Sequence, residues 1–316
     1  MKVEKKGFQK AQAKIERRSV LKTSVAFAGS VALGWPAVSI SQPKTIKIGH
    51  LTPMTGFLGA LGEYAQQGIK MAAEEINSAG GLLGRQIELI SEDSVNPQVA
   101  SQKAQRMIER DNVAILMGEI NSASALTISQ VAARNKIMFM SIGARSDALR
   151  NKDCNRYTFH VDIPVTVMVN AAGEALLREG WVKGKKIFAL TSDYLFGHDL
   201  SRAAKNFFTR NGGSVIGDEL VPTDLTDFSP QLLKIRQARP DLVATNLGGN
   251  QVTNFVKQYS EFGLSFPVAG FNLNTADAWA AGEGNLGGYW PTVWHHELKT
   301  PGSQAFVEKF TKKYNR

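Results

Sequence analysis

Three short stretches hold the residues with chemistry to offer. Gly118-Glu119-Ile120-Asn121-Ser122-Ala123-Ser124 is a polar cluster that runs into an apolar-periodic segment, so Ser122 stands at the positive end of an expected helix. Such a start suits an anion, with a cap by Asn121 or Ser122 as the plainer alternative. Ile142-Gly143-Ala144-Arg145-Ser146-Asp147 carries Arg145, whose planar fork can hold a carboxylate through two parallel bonds. A solvated loop arginine is the plainer reading. Ser192-Asp193-Tyr194-Leu195-Phe196-Gly197-His198 joins an acid to rings, and Phe57 and Leu61 add apolar surface after the first strand.

Catalytic signatures are missing from the sequence. The chain has no Gly-rich phosphate loop, no Gly-x-Ser-x-Gly elbow and no His-Glu-x-x-His, and its glycines at 56, 59 and 62 lack the dinucleotide spacing. His295-His296-Glu297 hints at a metal, but adjacent side chains on an extended segment point to opposite faces and two donors do not complete a zinc site. The expectation is a non-enzymatic protein without metal or cofactor.

The elements that must position these residues follow a regular alternation. Thr45 to Leu51 is a short β-branched run that ends at Thr52-Pro53-Met54-Thr55-Gly56, a loop sequence. Ile69, Ala72, Ala73 and Ile76 then recur at helical spacing, predicting an inward face, until Gly80-Gly81. Arg85 to Glu92 supplies the next strand, so the first unit is strand, helix, strand with a right-handed crossover. Asn96-Pro97 caps a helix that turns Ala100, Ala104, Met107 and Ile108 inward. Val113–Met117 and Lys136–Ser141 read as strands around a helix, and the alternation restarts near Asp162. Strand-like Tyr157–Val161, Lys186–Thr191, Ser214–Val221, Leu242–Leu247 and Pro267–Gly270 alternate with helices opening at Pro164, ending at Asn211-Gly212-Gly213, near Leu232–Ile235 and over Asn250–Phe262. Two parallel sheets, each covered on both faces, are therefore expected. In such sheets a ligand sits beyond the carboxyl ends of the strands, which nominates loops 52–62, 118–124, 141–147, 192–198, 246–250 and 271–275.

At Lys47-Ile48-Gly49, Thr52-Pro53-Met54-Thr55-Gly56, Gly68, Ala73-Glu74-Glu75-Ile76-Asn77, Ala79-Gly80-Gly81, Gly84-Arg85 and Glu92-Asp93 the chain resembles the periplasmic substrate-binding proteins of ABC importers, of the branched-chain amino acid type. The resemblance continues through Leu190–Gly197 and Pro240–Phe262 nearly to Arg316. It implies an α/β, type I periplasmic binding fold with two Rossmann-like lobes and a cleft between them. Lobe 1 would comprise 42–162 and 290–316, lobe 2 163–289, with crossings near Asp162 and Tyr289. The family's chain normally continues past Lys312-Lys313-Tyr314 with a further helical and strand-bearing stretch.

The resemblance also assigns roles. Ser122 matches the serine that binds the ligand carboxylate from a helix start, and Gly143 and Arg145 match positions that present backbone groups and a hydroxyl to the same carboxylate. Arg145 departs from that pattern, and a permanent cation there should strengthen the demand for an anion. Phe196 matches an aromatic that closes over the ligand from lobe 2. Asn272 falls where amino-acid binders carry an acid for the α-ammonium. An amide cannot replace that charge, so a carboxylate without an α-amino group is favoured, with a hydrophobic amino acid still open if Asp193, Glu119 or Asp277 supplies the charge. The implied function is solute capture by lobe closure, with a membrane permease and ATPase as partners. The alternative is a ligand-sensing protein of the same fold that answers to acids or amides.

Charge and address complete the reading. Of 37 Lys/Arg and 28 Asp/Glu, residues 1–41 hold eight and two, so the remainder carries only +3 and shows no basic-aromatic stripe. Nucleic acid is not an expected partner, and a monomer is. Glu16-Arg17-Arg18-Ser19-Val20-Leu21-Lys22, followed by a weakly apolar run and Ala37-Val38-Ser39, has the pattern of a cleaved twin-arginine signal. No cysteine follows it, so a soluble periplasmic protein is expected rather than a lipoprotein. Cys154 is alone. It reads as a small buried hydrophobe, and the resemblance raises a partner beyond residue 316.

Overall fold

The structure is a computed structural model that describes residues 45–282 and 288–315. The proposed signal segment lies outside the described residues. Strands β1 (Thr45–Thr52), β2 (Gln86–Asp93), β3 (Ile115–Gly118), β4 (Met138–Ser141) and β5 (Thr158–His160) form one all-parallel sheet in the order β2-β1-β3-β4-β5. Between them run α1 (Gly59–Ser78), α2 (Pro97–Glu109) and α3 (Ser122–Asn135). Asn96 starts α2 as expected, its side chain accepting from the Val99 N–H with Pro97 at the first helical position. Ala100, Ala104 and Met107 of α2 and Ile128, Val131 and Ala132 of α3 are buried against Leu116 and Phe139 of the sheet.

The second sheet contains β6 (Lys186–Ser192), β7 (Ser214–Val221), β8 (Leu242–Asn246) and β9 (Val268–Gly270), again all parallel, in the order β7-β6-β8-β9. It is covered on both faces. α4 (Val165–Arg178) and α5 (Leu195–Arg210) lay Val169, Leu176, Leu200, Phe207 and Phe208 on Ile187, Leu242 and Ala244. α6 (Ser229–Ala238) and α7 (Asn250–Glu261) lay Phe228, Leu232, Ile235 and Phe255 on Phe188, Leu190 and Val243. Successive residues of β6 and β8 thus enter opposite cores, which is why both strands read as continuous apolar runs. α8 (Thr275–Ala281) follows β9, and α9 (Pro301–Tyr314) returns to the first sheet's side.

That return changes the reading of α1. Phe310 stacks on Tyr64 at 6.4 Å, Lys309 pairs with Glu75 at 2.9 Å, and the Tyr314 hydroxyl donates to the Gln67 carbonyl at 2.9 Å. On the opposite side α1 presses against the β1 loop, where a Cβ at Gly62 would fall 1.6 Å from the Pro53 carbonyl oxygen. The helix is therefore sandwiched, and both Met71 and Ala73 are buried along it. Of the expected stripe, Ala73 is buried and Ile69 half-buried, whereas Ala72 is exposed and Ile76 is 41 % exposed near the helix end. A second correction concerns Cys154, which sits in the turn between residues 151 and 157 and is exposed. Among the described residues no helix is long and apolar enough to cross a membrane.

Candidate functional site

The carboxyl ends of both sheets face a common cavity of about 230 Å³. From the first sheet's side it is walled by Leu58, Leu61, Ile120, Ile142, Gly143 and Arg145, and from the second by Tyr194, Phe196, Asn272 and Asn274. Asp162, between β5 and α4, also lines it. At this volume, below the roughly 300–1,000 Å³ of drug-sized sites, a small solute fits.

Arg145 is the centre of the polar lining. Its Nε donates to Asp162 Oδ2 at 2.6 Å, and its Nη1 donates across to Asn272 Oδ1 at 2.8 Å. A guanidinium has five N–H donors, so three are not engaged by these two bonds. The Arg145 and Asp162 side chains are only 14 % and 10 % exposed, which makes their attraction strong and the cost of losing either partner high. Arg150 braces this corner: its Nη1 donates to the carbonyls of Ala144 and Ser146, and its Nη2 to that of Asp162. Burial pulls the Arg150 pKa below its ordinary value, an effect opposed by Asp162 and Asp147.

Aromatic rings close the other side. Tyr194 meets Phe57 edge-on with ring centroids 5.2 Å apart and tilts on Phe196 at 5.8 Å. Burial pushes the Tyr194 hydroxyl pKa up, so it is a neutral hydrogen-bonding group at any physiological pH. A larger groove of about 760 Å³ between α1, α8 and α9 is lined by Tyr64, Trp279, Trp294, Phe306 and Phe310 and offers no carboxylate or guanidinium. The smaller cavity is the one with recognition chemistry.

Of the residues named from sequence, Gly143, Arg145, Phe196, Asn272 and Leu61 line this cavity, while Phe57 touches it through Tyr194. Two do not. Ser122 is fully buried, and its Oγ accepts from the Ser146 N–H at 3.2 Å instead of facing the cavity. At the start of α3, Glu119 Oε1 takes the N–H groups of Ile120 and Asn121, and Asn121 Oδ1 takes those of Ala123 and Ser124. The cap of α3 is therefore Asn121. Asp193 is exposed and pairs with His198 at 2.9 Å, because the turn into α5 throws it outward. Sequence reasoning misses Tyr194, Asp162 and Asn274 as cavity walls. Tyr194 stands in a nominated loop, two residues before Phe196, and Asp162 reads in sequence only as a boundary.

Two buried titratable groups lie behind the site. Glu119, fully buried at φ +70°, has its pKa raised from 4.5 to about 7 by burial, which outweighs the amide bonds to its Oε1. His50, also fully buried, has its pKa lowered from 6.5 to about 4 by burial and then by Lys70. Glu119 binds more protons folded than unfolded, so its contribution is present at low pH and is lost as pH rises from about 4.5 to about 7. His50 binds fewer, so its contribution is present above about pH 6.5 and is lost as pH falls toward 4. The slopes oppose each other in between. Glu119→Gln should therefore remove the fall and, in urea unfolding at pH 8 against pH 5, gain roughly 3 kcal/mol relative to the parent. An unchanged pH profile would show that the Glu119 carboxyl titrates normally.

Two doubly wound parallel lobes facing one cavity define a two-lobed solute-binding protein with the type I periplasmic binding fold. Residues 45–316 match the model of the periplasmic binding protein family, and the chain belongs to that family. It is similar to the Leu/Ile/Val-binding protein homolog 7 of Brucella abortus, 28 % identical over 287 residues that cover 85 % of this chain and 71 % of that protein. Among solved structures it is similar to a periplasmic binding protein from Burkholderia mallei, with a TM-score of 0.80 at 29 % identity over 86 % of this chain and 72 % of that one. It is also similar to the solute-binding protein of an ABC transporter from R. palustris in complex with benzoate, with a TM-score of 0.80 at 25 % identity over 86 % and 75 % of the two chains. The chain is of the ABC-transporter substrate-binding type.

Proposed function

We propose that this chain is the exported receptor of an ABC importer, capturing a small carboxylate that lacks an α-amino group and passing it to a membrane permease and its ATPase. The observation that carries the reading is Arg145, a permanent cation held in the cavity by one partner from the crossover and one from the second lobe, with N–H donors outside those two bonds. A carboxylate bound to those donors touches groups of both lobes and so favours closure. The apolar walls of Leu58, Leu61, Ile142 and Phe196 suit an aryl or branched alkyl body, in keeping with the benzoate held by the R. palustris relative.

Discrimination against amino acids rests on where the acids are. Asp193 is on the surface, Glu119 is behind the wall, and Asp277 accepts from Asn274 through its main-chain and side-chain N–H groups. Burial raises the Asp277 pKa, which further reduces its use as an anion. Asp162 is the exception because it lines the cavity, and it supports a second reading in which a zwitterion spans Arg145 and Asp162. Its oxygens already accept from Arg145 and from the Ile163 N–H at 2.7 Å, which favours the simple acid.

Delivery to the periplasm would rest on the twin-arginine segment, with a soluble monomer as the product. Calorimetry on the exported protein with benzoate, 4-methylpentanoate and leucine tests the ligand class. Leucine is expected to bind at least about 100-fold more weakly than its deaminated analogue, since an unpaired buried ammonium costs several kcal/mol. Tighter binding of leucine would overturn the acid reading in favour of the zwitterion. Capture of the loaded form by permease subunits, rather than by a sensory partner, would distinguish import from sensing.

A further inference from the structure

The two lobes also meet away from Arg145, at a contact made of main chain. The 3-10 turn Gly56–Leu58 of the first lobe comes down on Gly249, the N-cap of α7 in the second. A Cβ at Gly249 would lie 2.1 Å from the Phe57 carbonyl oxygen and 3.0 Å from Leu58 Cδ2. One at Gly248 would lie 2.7 Å from the Tyr194 hydroxyl oxygen. Gly249 moreover has φ +54° and ψ −140°, a conformation that side-chain-bearing residues rarely adopt. Hydrogen fits at this point and a methyl group does not.

What the contact positions is part of the cavity. Leu58, only 3 % exposed, is a wall residue, and Phe57 beside it packs edge-on against Tyr194, which itself leans on Phe196. The approach of the Phe57 carbonyl to Gly249 therefore sets how far Leu58 and the Phe57–Tyr194 ring pair can close over a guest. We propose that Gly249 is a positioning residue, the seat on which the first lobe's lip comes to rest, and that its lack of a side chain sets the depth of lobe closure. The inference rests on the solute-binding reading given above.

A side chain at 249 must hold the lip away, which lowers the fraction of molecules able to close. Apparent affinity falls in proportion to that fraction, so a closed population reduced to about 1 % raises Kd about 100-fold. In Gly249→Ala, with far-ultraviolet dichroism like the parent's, benzoate is expected to bind about 100-fold more weakly. An unchanged Kd in the folded variant overturns the proposal. Because the backbone conformation could make this variant fail to fold, a second one keeps glycine: Phe57→Cys with Asn250→Cys in a Cys154→Ser background, which ties the lip to its seat when oxidised. Benzoate release from the oxidised form should then be at least about tenfold slower than from the reduced form, because a covalent tie shifts the open–closed population. Equal release rates overturn the seat. If the parent binds 4-methylpentanoate or leucine and not benzoate, the same two comparisons are made with that compound. If the parent binds none of the three while the disulfide still forms at least about tenfold faster with Gly249 kept than with Gly249→Ala added, the carboxylate reading fails and the seat stands.

Discussion

Arg145→Met is expected to weaken binding of the cognate carboxylate by about 100-fold or more, since each hydrogen bond to a charged group contributes about 1.5–3 kcal/mol and the fork can supply two. It should also destabilise the protein. Asp162 is 10 % exposed and takes its shortest bond from Arg145 Nε, so removing the guanidinium strands a nearly buried carboxylate, a change that typically costs about 3–5 kcal/mol. The two effects separate in a double variant. Arg145→Met with Asp162→Asn should regain much of the stability and none of the affinity, because it discharges the stranded acid without restoring a cation. Lysine at 145 should behave more like methionine than like arginine toward the ligand, since one ammonium cannot reach Asp162, Asn272 and a guest with a planar fork's geometry. Titration calorimetry and urea unfolding measure both quantities. Parental affinity in a folded Arg145→Met protein would remove the anchor from the proposed function.

Asp199→Ala should also lower stability, although Asp199 is not among the residues lining the cavity. This carboxylate of α5 is 3 % exposed and accepts from the Ser146 hydroxyl, the Ala148 N–H and the Arg202 guanidinium. Ser146 in turn donates its N–H to Ser122 Oγ at the start of α3, and Arg202 also reaches Asp147 at 3.7 Å. One buried acid of the second lobe thus organises the loop that carries Arg145. Arg202 is about half exposed, so solvent screening leaves that ion pair little to contribute. The loss comes chiefly from the buried Ser146 hydroxyl left without an acceptor, since the Ala148 N–H keeps Ser146 Oγ at 3.2 Å, and about 1–3 kcal/mol is expected in urea unfolding at constant m-value. Asp199→Asn retains an acceptor oxygen and should lose about half as much. A change within about 0.5 kcal/mol for the alanine variant would show that the loop is held by Arg150 and packing alone.

The pattern of elements is legible in the chain because it depends on near neighbours. Apolar alternation, the Asn96-Pro97 helix start and the Asn211-Gly212-Gly213 stop are local signals, and the strands at Ser214–Val221 and Leu242–Asn246 stand where periodicity puts them. The parallel sheets follow from the alternation itself, and with them the set of loops from which the cavity walls come. Even α1 is in its expected place, although its buried face differs from the expected one because α9, more than 200 residues later in the chain, covers a second side of it.

Within those loops, the direction of each side chain is not a local matter. Arg145 and Asn272 meet across 127 positions, Ser146 and Asp199 across 53, and no periodicity reports such pairs. Sequence names both Ser122 and Arg145 as anion ligands; the fold buries the first with its Oγ accepting from Ser146, and places the second among the residues lining the cavity. Asp193 and Asp162 are exchanged in the same way, one sent to the surface and the other to the cavity lining. Sequence determined which segments surround the cavity, because backbone periodicity is encoded residue by residue. Tertiary structure decided which of their side chains line it, because that depends on how the two lobes satisfy each other's buried charges.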